Sequence, residues 1–537
     1  MKAFLLFRDK DFDPQQILAQ REKKIGPWNK DDKLNLEQLL PWNEKELIQD
    51  LGLDILLNTM SGGNNFLLEV SKVALLNSIT DIGIILYRQN ILRDCIKHEQ
   101  IVRDLYKTTI DAIEQEKDKF WSFFSRNPSG MLFESVRTLQ MFVKMLKKLK
   151  TVADQNSEMF ESDGFKRFFD MIKYELTDEY FSKIDEHLEQ LKFEDGILVS
   201  AELSRGNKGS NLILHKMPED KRSWLKRILT PKLPGYTYQI HPRDESGARA
   251  LAELRDQSIN SVANALAQSS DHISNFFQAL RTELAFYIGC LNLYGKLSGI
   301  HEPVCFPVAV PLGSRELSFS ELFDASLALN KGCKVVSNNL NADGKNLIVI
   351  TGANTGGKST FLRSMGIAQL MMQAGMFVPA KTFTAEVRKG IVTHFKREED
   401  TKMNSGKLDE ELSRMSDIVD NINSQSIVFF NESFAATNEK EGSEISRQIA
   451  NALIDKGIVV VFVTHNFEFA NGLSEKKMNN TIFLLAERLI DGTRTFRILE
   501  GEPLQTSFGQ DLYDQIFLTP AETIVSEHIV ESIRKVR

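Results

Sequence analysis

The chain has 537 residues, of which 42% are apolar and 26% charged, a composition typical of soluble globular proteins. This length exceeds what a single hydrophobic core supports, so it predicts several folding units. The net charge of −7 excludes a global basic field that would attract nucleic acid, and any such contact therefore needs a local basic patch.

The cysteines and the apolar segments indicate the compartment. The four cysteines are scattered and form no C-x-x-C pair, which argues against a disulfide framework or a zinc site and favours a reducing environment. The N-terminus lacks the apolar run of a signal peptide, and the apolar stretch at 458–463 is too short to span a bilayer. We therefore expect a cytoplasmic protein without a membrane partner.

The first half of the chain has a helical pattern. Residues 1–45 are predicted to be a polar N-terminal segment, and 46–300 a mainly α-helical core and lever domain. The lysines at 144, 147, 148 and 150 are interpreted as the solvated face of one helix. Its buried face is predicted from apolar residues at three- and four-residue spacing: Leu132, Val136, Leu139, Phe142, Val143, Leu146 and Leu149. An almost uninterrupted helical run at 244–297 predicts either a lever helix or a coiled-coil-like pair.

The residue pattern changes from helical to strand-like at about 195–240, which is predicted to be a small insert. Residues 196–203 and 211–216 are predicted to be two strands joined by a turn. Basic residues follow with aromatic residues between them, and they are candidates for contact with a nucleic-acid backbone: Lys221, Arg222, Lys226 and Arg227. An ordinary solvated loop is the alternative interpretation of this stretch.

Residues 301–520 are predicted to form an α/β domain, followed by a helical tail at 521–537. Apolar strands at 347–350, 426–430 and 458–463 alternate with helical segments, the order found in P-loop ATPase sheets. The fold class is thus a multidomain protein in which a helical core precedes an α/β P-loop domain.

The first of these strands leads into the sequence G-x-x-x-x-G-K-S, which precedes a helix. Such a loop presents backbone N–H groups and a helix N-terminus to phosphates, while Lys358 reaches the β- and γ-phosphates and Ser359 holds Mg²⁺. The cofactors predicted are ATP and Mg²⁺. The residues predicted to bind them are Gly352, Ala353, Asn354, Thr355, Gly356, Gly357, Lys358, Ser359 and Thr360.

Polar residues follow the other two strands. Asn431 stands where a metal-binding Asp is usual, Glu432 is placed to act as a general base, and His465 is placed to sense the γ-phosphate. A core or loop histidine is the alternative for His465. Because the amide of Asn431 is neutral, two hypotheses stay open: hydrolysis with Ser359 and the phosphates supplying most metal ligands, or a slow ATP-binding switch.

These motifs resemble those of the MutS family of DNA mismatch-repair ATPases. Residues 351–360 match its T-G-x-N-x-G-G-K-S-T, 431–438 resemble its D-E-x-x-x-G-T-S, and 464–468 resemble its T-H-x-x-E. The resemblance implies an ABC-type ATPase that dimerises, each nucleotide site being completed by the partner. Ser405 is the candidate for that contact in trans, with a plain helix N-cap as the alternative.

The resemblance also implies a function. We expect a dimeric, ATP-gated DNA clamp in repair or recombination. Because the family's G-x-[FY]-x-E wedge motif is not found near the N-terminus, we do not expect direct mismatch recognition. The alternatives are a nucleotide-gated scaffold with little hydrolysis, a relative acting on RNA or ribosomes, and a general recombination or chromosome ATPase.

Overall fold

A computed structural model describes most of the chain. The residues it describes are 1–6, 8, 40–120, 127–193, 196–205, 209–216, 238–397, 406–475, 479–489 and 492–503. By its internal contacts the chain divides into two compact units. One comprises Met1–Lys24 and His98–Leu284, and the other Ile25–Lys97 and Ala285–Arg537.

The helices and strands of the described residues are as follows. The helices are α1 (Glu44–Leu51), α2 (Leu53–Ser61), α3 (Asn65–Leu76), α4 (Ile82–Lys97), α5 (Glu99–Phe120), α6 (Pro128–Asn156), α7 (Asp163–Glu175), α8 (Asp178–Gln190), α9 (Glu245–Gly299), α10 (Ala325–Lys331), α11 (Lys358–Gln373), α12 (Lys407–Asn421), α13 (Glu439–Asp455) and α14 (Phe467–Ser474). The strands are β1 (Leu198–Leu203), β2 (Gly209–His215), β3 (Val308–Val310), β4 (Leu317–Leu322), β5 (Asn338–Asn341), β6 (Leu347–Gly352), β7 (Thr382–Glu386), β8 (Ile391–Phe395), β9 (Ile427–Asn431), β10 (Val459–Val463), β11 (Thr481–Arg488) and β12 (Arg494–Glu500).

The helical unit is built on α6. All seven apolar residues predicted for its inner face are buried, which confirms the periodicity argument. Phe142 of that face stacks on Phe277 of α9, with ring centroids 5.7 Å apart. A second aromatic cluster joins Phe160 to Phe165 and Phe169 of α7 at centroid distances of 4.5 and 5.2 Å. Offset and edge-on aromatic pairs of this kind add to the hydrophobic stabilisation of the core.

Two further sequence predictions for this region are confirmed. The strands β1 and β2 pair as an antiparallel hairpin, with Leu198 opposite His215. The run predicted at 244–297 is one continuous helix, α9, rather than a helix pair, and the division between the two units falls within it.

The second unit contains a six-stranded sheet in the order β12-β11-β6-β10-β9-β8. Its strands are parallel except for β12, which runs antiparallel to β11. In register, Val463 of β10 lies between Ile350 of β6 and Asn431 of β9. The carboxyl ends of these three strands therefore meet at one edge of the sheet, where ligands bind in open α/β sheets.

Helix α11 is buried on nearly all sides between this sheet and a four-stranded sheet of order β3-β7-β4-β5. Its buried amides are satisfied, since Gln369 donates to the Glu386 carbonyl and Gln373 to the Arg388 carbonyl, both at 2.8 Å. Because these contacts fix α11, its N-terminus also fixes the position of the loop that precedes it.

Helices α1–α4 pack on the α/β part of the chain. The side chains of Arg88 and Gln89 in α4 donate to the carbonyls of Ala374 and Pro307, at 3.2 and 3.1 Å. Residues 46–97 thus group with the α/β unit by contact, whereas the predicted domains group them with the helical core; the predicted boundaries stay a prediction. The coarser expectation of an α-rich part plus an α/β part is confirmed. None of the helices in the described ranges is long and apolar enough to cross a membrane.

Candidate nucleotide-binding site

The loop after β6 folds tightly against β11. Gly352 has a φ of 108°, and a Cβ there would lie 2.9 Å from the Ala486 nitrogen. A Cβ on Gly356 would lie 2.8 Å from the Ala353 carbonyl oxygen, and Gly357 has a φ of 89°. Only glycine meets these steric and conformational demands, so the three glycines of the motif are explained by the shape of the loop.

Lys358 is the first residue of α11, and its side chain lies inside the curl of the loop. Its Nζ donates to the carbonyls of Gly352 and Ala353 at 3.1 and 2.8 Å. Burial lowers the pKa of this ammonium to about 8, while Glu432 acts in the opposite direction and Arg494 lowers it further. A buried cation in a glycine loop at a helix N-terminus is the arrangement that favours a polyanion such as a triphosphate.

A hydrogen bond from Ser359 joins the N-terminus of α11 to the end of β9. The Ser359 hydroxyl donates to Asn431 Oδ1 at 2.9 Å, across 72 positions of sequence. Two neutral oxygen ligands therefore lie side by side, and oxygen is the ligand type that Mg²⁺ requires. These two oxygen atoms are ligands of the type that Mg²⁺ prefers, although neither carries a negative charge.

Glu432 and His465, from the ends of β9 and β10, form a hydrogen-bonded pair. Nε2 of His465 lies 2.8 Å from Oε1 of Glu432, and about a third of each side chain is exposed. The hydrogen bond from His465 lowers the pKa of Glu432; burial opposes this, and the charges of His465, Lys358 and Lys396 add to it. The carboxylate is thus ionised, held in orientation and open to solvent, as a general base needs to be.

Residues 354–360 of the loop, Glu432 and His465 line one pocket of about 670 Å³ together with apolar side chains that no motif indicated. Those side chains come from the segments around β4, α10 and β12: Leu322, Phe323, Leu327, Val335, Val336 and Phe496. Its volume is within the range of small-molecule sites. Nine of the predicted residues from the loop and the strand ends line it: Asn354, Thr355, Gly356, Gly357, Lys358, Ser359, Thr360, Glu432 and His465.

Two charged residues that sequence reasoning missed support the loop. Arg494 of β12 donates through Nε to the Asn354 carbonyl at 3.3 Å. Asp324 caps α10 by accepting from the Leu327 N–H, and it pairs with Arg363 of α11 at 2.8 Å. Neither belongs to a local motif, because each meets the loop or its helix only after the sheets have formed.

The remaining predicted residues cannot be placed. Ser405 and the basic residues Lys221, Arg222, Lys226 and Arg227 lie outside the described residues. Their suggested contacts with a partner's nucleotide and with nucleic acid stay predictions.

Comparison with known proteins identifies the family. Residues 80–300 match the model of the MutS2 N-terminal domain, and residues 348–530 match that of MutS domain V. The two matches together cover most of the chain, including the loop at 352–360, Glu432 and His465. The chain belongs to the MutS family.

Individual relatives are similar over shorter segments. The Homo sapiens protein named MutS protein homolog 4 is 30% identical over 26% of this chain and 15% of its own length. The Thermotoga neapolitana DNA mismatch repair protein MutS is 33% identical over 32% of this chain and 21% of its own length. Endonuclease MutS2 of Listeria monocytogenes is 27% identical over 49% of this chain and 35% of its own length. The aligned part of this chain thus spans roughly a third or less of each of these relatives.

Proposed function

We propose that this chain is an ATPase that binds ATP and Mg²⁺ in the pocket at the ends of β6, β9 and β10. The observation that carries the proposal is that Asn431, Glu432 and His465, at and after the ends of β9 and β10, meet Lys358 and Ser359 at the glycine-rich loop that follows β6. A loop of this kind alone would support phosphate binding. The carboxylate–histidine pair beside it adds the group needed to activate water.

Each residue has a distinct part in this proposal. The backbone N–H groups of 352–360 and the ammonium of Lys358 bind the phosphates, and Ser359 with Asn431 would hold the magnesium ion. When bound, magnesium neutralises charge on the phosphate oxygens. Glu432 accepts a proton from the attacking water, and His465 orients that carboxylate.

Replacing Asn431 with aspartate tests the effect of the missing charge. A carboxylate binds Mg²⁺ more tightly than an amide, so we expect the Mg²⁺ concentration for half-maximal ATP turnover to fall by about tenfold, a change of about 1.4 kcal/mol. Turnover measured over a magnesium titration gives the result. The matched control is Asn341→Asp, at the exposed end of β5, where only the acceptor role toward Asp343 N–H needs to be kept. An unchanged magnesium requirement would show that Ser359 and the phosphates suffice, whereas high turnover only in N431D would favour the slow-switch alternative.

We further propose that two copies of the chain form an ATP-gated clamp on DNA, in repair or recombination. The clamp proposal is supported by family membership together with the names of two relatives, a DNA mismatch repair protein and an endonuclease. The RNA and ribosome alternative has no support among these relatives. Ser405 stays the proposed contact to the partner's nucleotide, and the basic residues at 221–227 the proposed DNA contact.

A binding panel tests the clamp. Mismatched duplex, branched DNA and structured RNA are each titrated over a salt series, with and without ATP. We expect DNA affinity to fall steeply with salt and to change by about fivefold or more on adding ATP, because a gating ligand must bind the two conformations differently. Equal affinity with and without ATP would contradict gating, and preferred binding of RNA would replace DNA as the partner.

Charge-neutralising variants locate the DNA contact. Changing Lys221, Arg222, Lys226 and Arg227 to glutamine should reduce the magnitude of the salt slope by about three to four, since each phosphate contact contributes about 0.9. The matched control carries the same charge change on α6, at the lysines 144, 147, 148 and 150, which line its outer face. An equal loss in both variants would point to a general charge effect instead of a contact.

A further inference from the structure

A buried polar cluster lies beside the carboxyl end of β9. It is on the side of β9 where β8 lies, opposite to β10 and β6. His394 of β8, Ser433 and Glu411 of α12 are each at most 5% exposed. The His394 ring stacks on Phe434 with centroids 5.1 Å apart. Its Nδ1 lies 2.8 Å from Ser433 Oγ, and its Nε2 lies 3.0 Å from the carbonyl of Glu411.

The hydrogen positions in this cluster follow from its acceptors. Nε2 faces a carbonyl, which can only accept, so Nε2 carries the hydrogen. Burial, followed by the charge of Arg414, lowers the pKa of His394 to about 4, and the ring is therefore neutral with Nδ1 as an acceptor. The Ser433 hydroxyl has one hydrogen and two acceptors in reach, Nδ1 and the His394 carbonyl at 2.5 Å, and it can donate to either of them. Both acceptors belong to His394, so the hydroxyl of Ser433 is held by this histidine in either arrangement.

The residues on either side of Ser433 have unusual backbone conformations. Glu432 has a φ of 54° and Phe434 a φ of 60°, in the left-handed region that non-glycine residues rarely adopt. Such conformations persist only where the surroundings enforce them. Here the Glu432 N–H donates to the Val463 carbonyl at 2.9 Å, and the Glu411 carboxylate accepts from the backbone of Phe434. The contacts of His394 with Ser433 lie between these two hydrogen bonds along the chain.

We propose that His394 is a positioning residue for Glu432. By holding Ser433, it keeps the turn after β9 in the conformation that aims the Glu432 carboxylate at His465 and the pocket. The link from Nε2 to the Glu411 carbonyl extends this hold to helix α12. The inference rests on the proposed function, since it assumes that Glu432 acts in ATP hydrolysis.

Replacing His394 with phenylalanine or asparagine tests this role. Phenylalanine keeps the stacking on Phe434 but removes both hydrogen bonds, and we expect kcat for ATP to fall about 10- to 100-fold. KM and the Kd for ATP should stay within about twofold of wild type, because the loop that binds phosphate is untouched. Asparagine places an oxygen near the former Nδ1, so His394→Asn should recover most of the lost turnover. Ser433→Ala should reproduce the loss, and the double variant His394→Phe/Ser433→Ala should add little to it.

Leu453→Ala is the control for a merely structural effect. Leu453 of α13 belongs to the same buried core as Phe434 but has no polar group to take part in the hydrogen bonds of the turn, so its truncation should lower the melting temperature and leave kcat near wild type. Unchanged kcat in both H394F and S433A, or an equal loss in L453A without rescue by H394N, would overturn the inference. Wild-type protein that hydrolyses ATP while H394F is unaffected refutes only the positioning role. Wild-type protein that binds no nucleotide, or binds it without hydrolysis, overturns the positioning role together with the proposed ATPase.

Discussion

Replacing Lys358 with alanine is expected to weaken ATP binding by about 100-fold, the equivalent of losing about 3 kcal/mol of charge-assisted hydrogen bonding. The ammonium is buried inside the loop, 2.8 to 3.1 Å from two of its carbonyls, where it lies closest to the phosphates that the loop would bind. Calorimetric titration of ATP with Mg²⁺ measures the loss. Turnover at low ATP concentration should fall by at least the same factor.

The control for this variant is Lys381→Ala. Lys381 lies in the same unit and makes an exposed ion pair with Glu321 at 2.9 Å, so its removal should leave ATP binding unchanged. Thermal unfolding of both variants separates lost binding from lost folding. Equal ATP affinity in K358A and wild type would mean that the loop does not bind the phosphates, and the proposed function would then be wrong at its first step.

Replacing Glu432 with glutamine is expected to have a different signature. ATP should bind within about threefold of wild type, while kcat falls by about 100- to 1000-fold, the usual contribution of a general base. Glutamine keeps the shape of the side chain and can still accept from Nε2 of His465, but it cannot take a proton from water. Single-turnover hydrolysis and ATP affinity, measured on the same preparation, give the two numbers.

Glu321→Gln makes the same chemical change at an exposed position and should leave both numbers unchanged. Undiminished turnover in E432Q would indicate a different base or a non-catalytic role, and would favour the scaffold alternative. Loss of ATP binding in E432Q would instead assign Glu432 to the binding of the nucleotide. Comparing the kinetics of E432Q with those of N431D then separates the effect of a charge near the metal from the effect of a charge near the attacking water.

Features that depend on neighbouring residues could be predicted from the sequence. The glycine loop at 352–357 follows a buried strand and precedes a helix, and its glycines are required by local φ values and close contacts. The buried face of α6 and the continuity of α9 follow from helical periodicity, which is a property of a single segment. The convergence of Asn431, Glu432 and His465 also followed, because parallel strands present their carboxyl ends at one edge.

Contacts between distant segments were decided only by the tertiary structure. The position of β12 at the sheet edge brings Arg494 to the Asn354 carbonyl across 140 positions, and nothing in either segment encodes that pairing. Likewise, α4 packs on the α/β part through Arg88 and Gln89, and His394 meets Ser433 only because β8 lies beside β9. The sequence alone therefore determined the candidate phosphate-binding chemistry, since the groups that provide it belong to residues that are contiguous in the chain. The walls of the pocket and the support of Glu432 depend on strand order and packing, which arise from the energy of the whole fold.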